Sequence, residues 1–372
     1  MKNRNWTYHF GSLLLLSVAA VLLAACSDDA NTPEEETDIL QLRTITQGMP
    51  DVSPLETRAI PTGYAEYTGS SSIGVYMTTE DATSAPPIRT FYYAEDQWKS
   101  LVSVKNSTTY YIYGYMPVDN QVTCAISKLS EKYSEGAKLT FSQMPPMMTE
   151  DLCVITGVQD IIGEPPNPNS EVNLEIGKFQ YTGKASGNNY VNLMLDHLYA
   201  SVQFKMQVDA TYNQLRTIKL KKVKLKSTLT NLYTCQGEVT LVKDNACTIS
   251  WTQTGNLANE KSVTLFTSES EDGEELPSDA SDDYKVINGY YAPITEIGNN
   301  LVLECTYDVC DKKGTVTRSG CVAENKLSNS NLTLSVGTGK RTVITLTVKP
   351  TYLYQLSDDD LDNPTIKVGS GS

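Results

Sequence analysis

Ala200-Ser201-Val202-Gln203-Phe204-Lys205-Met206-Gln207-Val208 decides the fold class. Ala200, Val202, Phe204, Met206 and Val208 alternate with Ser201, Gln203, Lys205 and Gln207. A period of two is that of a β-strand, whose successive side chains point to opposite faces. The pattern predicts a strand with one buried and one wet face. Just before it, Tyr190 to Tyr199 is another β-rich run and contains Asp196 and His197. After it, a strand starts at Arg216 with Ile218 and Leu220, then Val223 and Leu225, on its apolar face. The alternation slips at Lys221-Lys222, which predicts a β-bulge. Lys219, Lys221, Lys222, Lys224 and Lys226 make this strand basic. In an acidic chain that reads as a solvated face, or as an edge protected against aggregation.

Further from the centre the same grammar repeats. Ile73 to Met77, Phe91 to Tyr93 with Trp98, Thr109 to Met116 and Leu152 to Val158 are strands on the N-terminal side. On the C-terminal side come Gly237 to Val242, Thr248 to Trp251, Ser262 to Phe266, Tyr284 to Tyr291, Asn300 to Val309, Thr315 to Ser319 and Thr342 to Val348. Tyr111, Tyr113 and Tyr115 fall on one face of their strand, with Tyr110, Ile112 and Met116 on the other, so both faces are covered. Such a strand is a sugar platform or a sandwich core with hydroxyls at the rim, and the core is the commoner use. Pro117 ends it. Gly163 to Asn169 reads as a loop. Ser268 to Asp283 carries eight acids and no base, a disordered loop by composition. Many short strands separated by turn signals describe an all-β protein of sandwich type.

The N-terminus is organised differently. Lys2 and Arg4 precede an apolar run from Leu13 to Ala25, which is a secretory signal rather than a membrane span. Leu23-Ala24-Ala25-Cys26 resembles a bacterial lipobox, in which the Cys26 thiol is diacylated and the peptide is cut before it. Ser27-Asp28-Asp29 resembles the export tag of surface lipoproteins. Lipid is then the expected anchor. The net charge is −14, and −16 once Lys2 and Arg4 leave with the leader. Such a surface repels nucleic acid. About 346 mature residues suggest two domains, with a boundary in the polar run Gly183 to Asn189. Ala30 to Thr37 is a tether, and Ile39 to Ile45 is enough for one short strand. Arg58-Ala59 lies between weakly structured stretches, where proteases cut, although spacing alone favours a plain surface arginine. After Pro350 the tail holds two β-like pieces, Tyr352 to Leu356 and Thr365 to Val368.

No catalytic chemistry is legible. His197 is the one histidine of the mature chain, so a Ser-His-Asp or Cys-His arrangement would have to use it. A core or interface histidine is the default. No P-loop, dinucleotide-binding glycine pattern or HExxH is present, and no cofactor is implied. Seven cysteines remain beside Cys26, at spacings that do not match a zinc site. They read as buried thiols with at most a bridge between Cys305 and Cys321, on opposite arms of a hairpin turning near Lys312-Lys313-Gly314.

Several blocks, taken in order, resemble the fimbrillins, the pilus subunits of Bacteroides-type bacteria. They are the lipobox at Cys26, Thr57-Arg58-Ala59, Ile73 to Met77, Trp98 with Tyr113 to Pro117, and Asp151-Leu152. Asn192 to Val208 and Val348 to Ile366 complete the set. The block around His197 is the most specific. The resemblance implies two tandem transthyretin-like (Greek-key) β-sandwich domains. Residues 1–25 would be the signal peptide and 26–58 a lipidated propeptide with a removable first strand. Residues 59–188 and 189–350 would be the two sandwiches, and 351–372 a donor tail. It also implies export to the outer membrane as a lipoprotein and a cut by a trypsin-like surface protease after Arg58, with Arg43 the second choice. Head-to-tail polymerisation with other fimbrial subunits would follow. A tip adhesin or a glycan-binding surface lipoprotein, supported by Trp98, Trp251 and the tyrosines, is the alternative.

Overall fold

The structure, a computed structural model, describes residues 37–47, 62–63, 71–160 apart from 96, 119 and 120, 175–349 apart from 186, 188, 329–333, 335 and 336, and 365–370. The leader with Cys26, Arg58 and Ala59, the Gly163 to Asn169 loop and the tail piece Tyr352 to Leu356 lie outside them. Among the described residues the regular structure is nearly all strand, with two four-residue helices, Ala210–Asn213 and Thr295–Gly298. The chain is therefore all-β, as the alternation predicts. The strands Thr109–Met116 and Ala200–Val208 have the predicted bounds.

The first half builds one large sheet. Its strands run in the order Cys153–Asp160, Tyr190–His197, Gln41–Gln47, Gln97–Lys99, Ile88–Ala94, Ser72–Thr78, Thr109–Met116 and Gln180–Thr182. Cys153–Asp160 also pairs with Thr109–Met116, at Cys153 opposite Met116 and Val154 opposite Tyr115. The path thus returns on itself, and the ring has no free edge among the strands that form it. Leu40, Leu42, Ile73, Val75, Phe91, Ile112, Val191, Leu193 and Leu195 pack into one core. Gly114 permits a close approach in this ring: a Cβ there would lie 2.0 Å from the carbonyl oxygen of Gly74.

The second half contributes two sheets with a common core. One runs Met147–Met148, Lys285–Tyr291, Ala200–Val208, Arg341–Lys349, Thr365–Ser370. The other runs Ser262–Thr267, Arg216–Ser227, Leu301–Asp311, Val316–Lys326. Val202, Phe204 and Met206 of the first share a packed cluster with Leu220, Val223 and Leu225 of the second. A further sheet, Thr248–Leu257, Tyr233–Val242, Gly136–Met144, Thr123–Lys128, joins strands from both halves of the sequence. Gly136 makes that junction feasible, because at φ +137° a Cβ would lie 2.2 Å from the carbonyl oxygen of Leu241. Tyr190–His197 belongs to the first ring and Ala200–Val208 to a later sheet, so the chain changes sheet at Leu198-Tyr199.

The predicted bulge is present, with the register against Leu301–Asp311 shifting between Leu220 and Lys222. The basic strand is not an edge, and its lysines lie on a partly exposed face, as the reading of a solvated face expects. It is an interior strand, and its lysines meet acids from neighbouring strands: Lys221 with Asp308 at 2.7 Å, Lys224 with Glu304 at 3.5 Å, and Lys226 with Glu304 at 2.7 Å. The acidic run also departs from expectation. Glu274–Glu275 forms a short strand against Lys219 and Leu220, Glu274 pairs with Lys285, and Leu276 is buried. Composition suggested disorder because it counted the acids without the lysines that the fold sets beside them. The face predicted to be wet is not wet throughout: Ser201 and Gln207, near its two ends, are buried.

Candidate functional site

The feature that organises the N-terminal half is the first strand segment among the described residues, Thr37 to Gln47. Thr37–Ile39 pairs with Ser103–Lys105, and Gln41–Gln47 then enters the ring. Gln41–Gln47 runs parallel to Tyr190–His197, from Gln41 opposite Tyr190 to Thr46 opposite Leu195. Its other side meets Gln97–Lys99, with Leu42 opposite Trp98. It is therefore the strand that closes the ring between these two neighbours. The alternation of Leu40, Leu42 and Thr44 places all three inward, and all are buried.

Polar contacts fix the register. The amide of Leu40 donates to the carbonyl of Val102 at 2.9 Å, and the amide of Gln41 to that of Asn189 at 2.8 Å. Trp98 Nε1 donates to Thr44 Oγ1 at 3.1 Å. Asp38 Oδ2 accepts from Asn189 Nδ2 at 3.0 Å and from the Gly187 amide at 2.7 Å. Asp38 and Asn189 were not singled out in the sequence, where nothing marks residues 151 apart as partners.

The predicted processing residues fall differently about this strand. Arg43 lies within it, opposite Asn192, and burial lowers the pKa of its guanidinium. A cut there would sever the strand instead of freeing it. Thr46 and Gln47 pair with Gly63 and Thr62, so Arg58 and Ala59 belong to the segment joining the first strand to that short return strand. The tail piece Thr365–Ser370 pairs antiparallel with Arg341–Lys349 at the edge of its sheet.

The residues considered for ligand binding are occupied in packing. Tyr113 and Tyr115 are buried, and the Tyr113 hydroxyl donates to the carbonyl of Tyr133. Trp98 is buried, and Trp251 packs on Tyr199 with ring centroids 5.5 Å apart. Cys305 stands opposite Ala323 and Cys321 opposite Tyr307, a diagonal relation across the hairpin, and no disulfide joins them. A cleft of about 350 Å³ is lined by Gln121, Gln143, Met144, Asn259 and Glu260 among others, without an aromatic platform.

His197 is not isolated. It stands opposite Cys153 in the antiparallel ladder. Its Nδ1 is hydrogen-bonded to Asp151 Oδ2 and lies 3.6 Å from Cys153 Sγ. A nucleophilic relay needs the acid on one ring nitrogen and the nucleophile on the other. Here both meet Nδ1, and burial pushes the Cys153 thiol well above the usual cysteine range. The trio does not have the geometry of a cysteine nucleophile with its base.

No protein-family model matches the chain, and no curated protein matches it. Among solved structures, a candidate cell-adhesion protein of Bacteroides fragilis superposes with a TM-score of 0.43 at 12% identity, over 90% of this chain and 98% of its own. A second candidate cell-adhesion protein, from Bacteroides uniformis, gives 0.37 at 14% identity, over 89% and 98%. A fimbrial protein of Bacteroides vulgatus gives 0.37 at 14% identity, over 81% and 92%.

Proposed function

We propose that the chain is a structural subunit of cell-surface fimbriae. It is exported as an outer-membrane lipoprotein on Cys26, cut after Arg58 by a trypsin-like surface protease, and polymerised by strand exchange to support adhesion. It is not an enzyme in this reading, and its partners are other fimbrial subunits. The observation that carries the proposal is the position of Gln41–Gln47, which closes the ring between Tyr190–His197 and Gln97–Lys99.

While the chain is intact, the first strand is intramolecular and its effective concentration is high, on the order of millimolar for a short link. Once Arg58 is cut, the strand is held by non-covalent contacts alone. The burial of Leu40 and Leu42 contributes about 1.5–3 kcal/mol each. Losing the strand bares the ladder groups of Tyr190–His197 and an apolar groove lined by Val191, Leu193 and Leu195. A strand from another copy satisfies both by β-augmentation. The tail is the proposed donor, through Tyr352 to Leu356 or through Thr365–Ser370 once that edge strand leaves Arg341–Lys349. The contact is head-to-tail, so it builds an open filament.

The test is digestion of the purified chain with an arginine-specific protease. The expected products are a new N-terminus at Ala59 and oligomers that grow with protein concentration. A cut chain that stays monomeric at high concentration refutes polymerisation, and glycan binding by that monomer would favour the adhesin alternative.

A further inference from the structure

We propose that Asp151, Cys153 and His197 form a binding site for a divalent cation of the zinc class. The ladder explains how three ligating side chains meet. Asp151 lies two residues before Cys153, just ahead of the strand Cys153–Asp160. The register sets His197 directly opposite Cys153. Among the described residues, this trio brings its ligating atoms within 4.8 Å of one another.

The spacing and chemistry suit such an ion. Zinc takes thiolate at about 2.3 Å and imidazole nitrogen at about 2.0–2.1 Å in a tetrahedron, which puts sulfur and nitrogen about 3.6 Å apart. Cys153 Sγ and His197 Nδ1 are 3.6 Å apart. Asp151 Oδ2 faces the same nitrogen, and Asp151 Oδ1 is buried with no hydrogen-bond partner. An unsatisfied buried carboxylate oxygen costs free energy that a cation removes. One sulfur, one nitrogen and one carboxylate select a borderline metal over calcium or magnesium, which prefer oxygen alone. Binding forms metal–sulfur and metal–Nδ1 bonds; the Cys153 thiol proton leaves to solvent, and the His197 proton moves from Nδ1 to Nε2 as the hydrogen bond to Asp151 is replaced.

The site lies where Cys153–Asp160 meets the end of Tyr190–His197. An ion there ties together two strands of the ring, one of which is the parallel neighbour of Gln41–Gln47. It would hold that wall of the groove in place after the first strand leaves, a consequence that rests on the proposed function. The site itself does not depend on it.

The test uses the full chain, stripped with chelator under reducing conditions and titrated with Co²⁺. The expected result is a thiolate-to-cobalt charge-transfer band that saturates at one ion per chain and is bleached by Zn²⁺. Cys153→Ser abolishes the band. His197→Gln and the near-isosteric Asp151→Asn weaken binding beyond the roughly 10- to 100-fold that losing an outer-shell partner costs. Cys305→Ser leaves the band unchanged. No band in the wild-type chain, a band that survives in Cys153→Ser, or unchanged affinity in a folded Asp151→Asn overturns the proposal. Normal cobalt binding by a chain that never polymerises would overturn the fimbrial reading alone.

Discussion

Leu42→Ala tests how the first strand is held. Leu42 is buried and packs beside Trp98, Val191 and Leu193 in the core of the ring. Truncating a buried leucine costs about 2–5 kcal/mol. Leu42 is 9% exposed, at the margin of full burial, so the lower part of that range, about 2–3 kcal/mol, applies. In the uncut chain the variant lowers the unfolding free energy by that amount, read from the urea midpoint at unchanged slope. In the cut chain the same energy acts on retention of the strand. At about 1.4 kcal/mol per tenfold change, the equilibrium for release shifts by about 30- to 150-fold. The assay is size-exclusion chromatography of the cut protein, with mass spectrometry counting how much of the fragment ending at Arg58 still co-elutes. Val322→Ala is the control, since Val322 is 60% exposed. The reasoning is refuted if cut Leu42→Ala retains the fragment as well as the wild type does, or if Val322→Ala loses it equally.

Three further outcomes follow from other parts of the structure. Trp98→Phe removes the Nε1 donor to Thr44 Oγ1 and costs about 1 kcal/mol of stability beyond the lost ring area, measured by urea unfolding. Gly136→Ala forces a side chain into a positive φ and against the Leu241 carbonyl, and costs about 1–3 kcal/mol or more in the sheet shared by the two halves. Glu304 has its carboxyl pKa lowered, chiefly by the hydrogen bond from Lys226. A depressed carboxylate stabilises the fold above its unfolded pKa, and that stability is lost as pH falls through the folded value. Glu304→Gln therefore lowers the melting temperature near about pH 7 and flattens its fall toward about pH 3.

The sequence revealed what depends on near neighbours. The alternation of Ala200–Val208 is carried by adjacent residues, and the slip at Lys221-Lys222 showed itself as a local break in period. The hairpin at Lys312-Lys313-Gly314 was legible because its turn residues are contiguous, with Gly314 at φ +87°. What depends on distant pairing was hidden. The parallel match of Gln41–Gln47 with Tyr190–His197 joins segments with no local signal for each other. The order of the acidic run depends on Lys219 and Lys285, outside the run itself. The Asp151, Cys153 and His197 cluster could be half seen, because Asp151 and Cys153 are close in sequence. His197 joins them only through a register that the sequence does not state.

The central claim is that the first strand is a temporary part of the fold. It is tested most directly by the N-terminal residue of the subunit in fibres sheared from the cell surface. The account predicts Ala59, with the fragment carrying Cys26 absent from the fibre. Fibre subunits that begin at lipidated Cys26, with Gln41–Gln47 still attached, would contradict it.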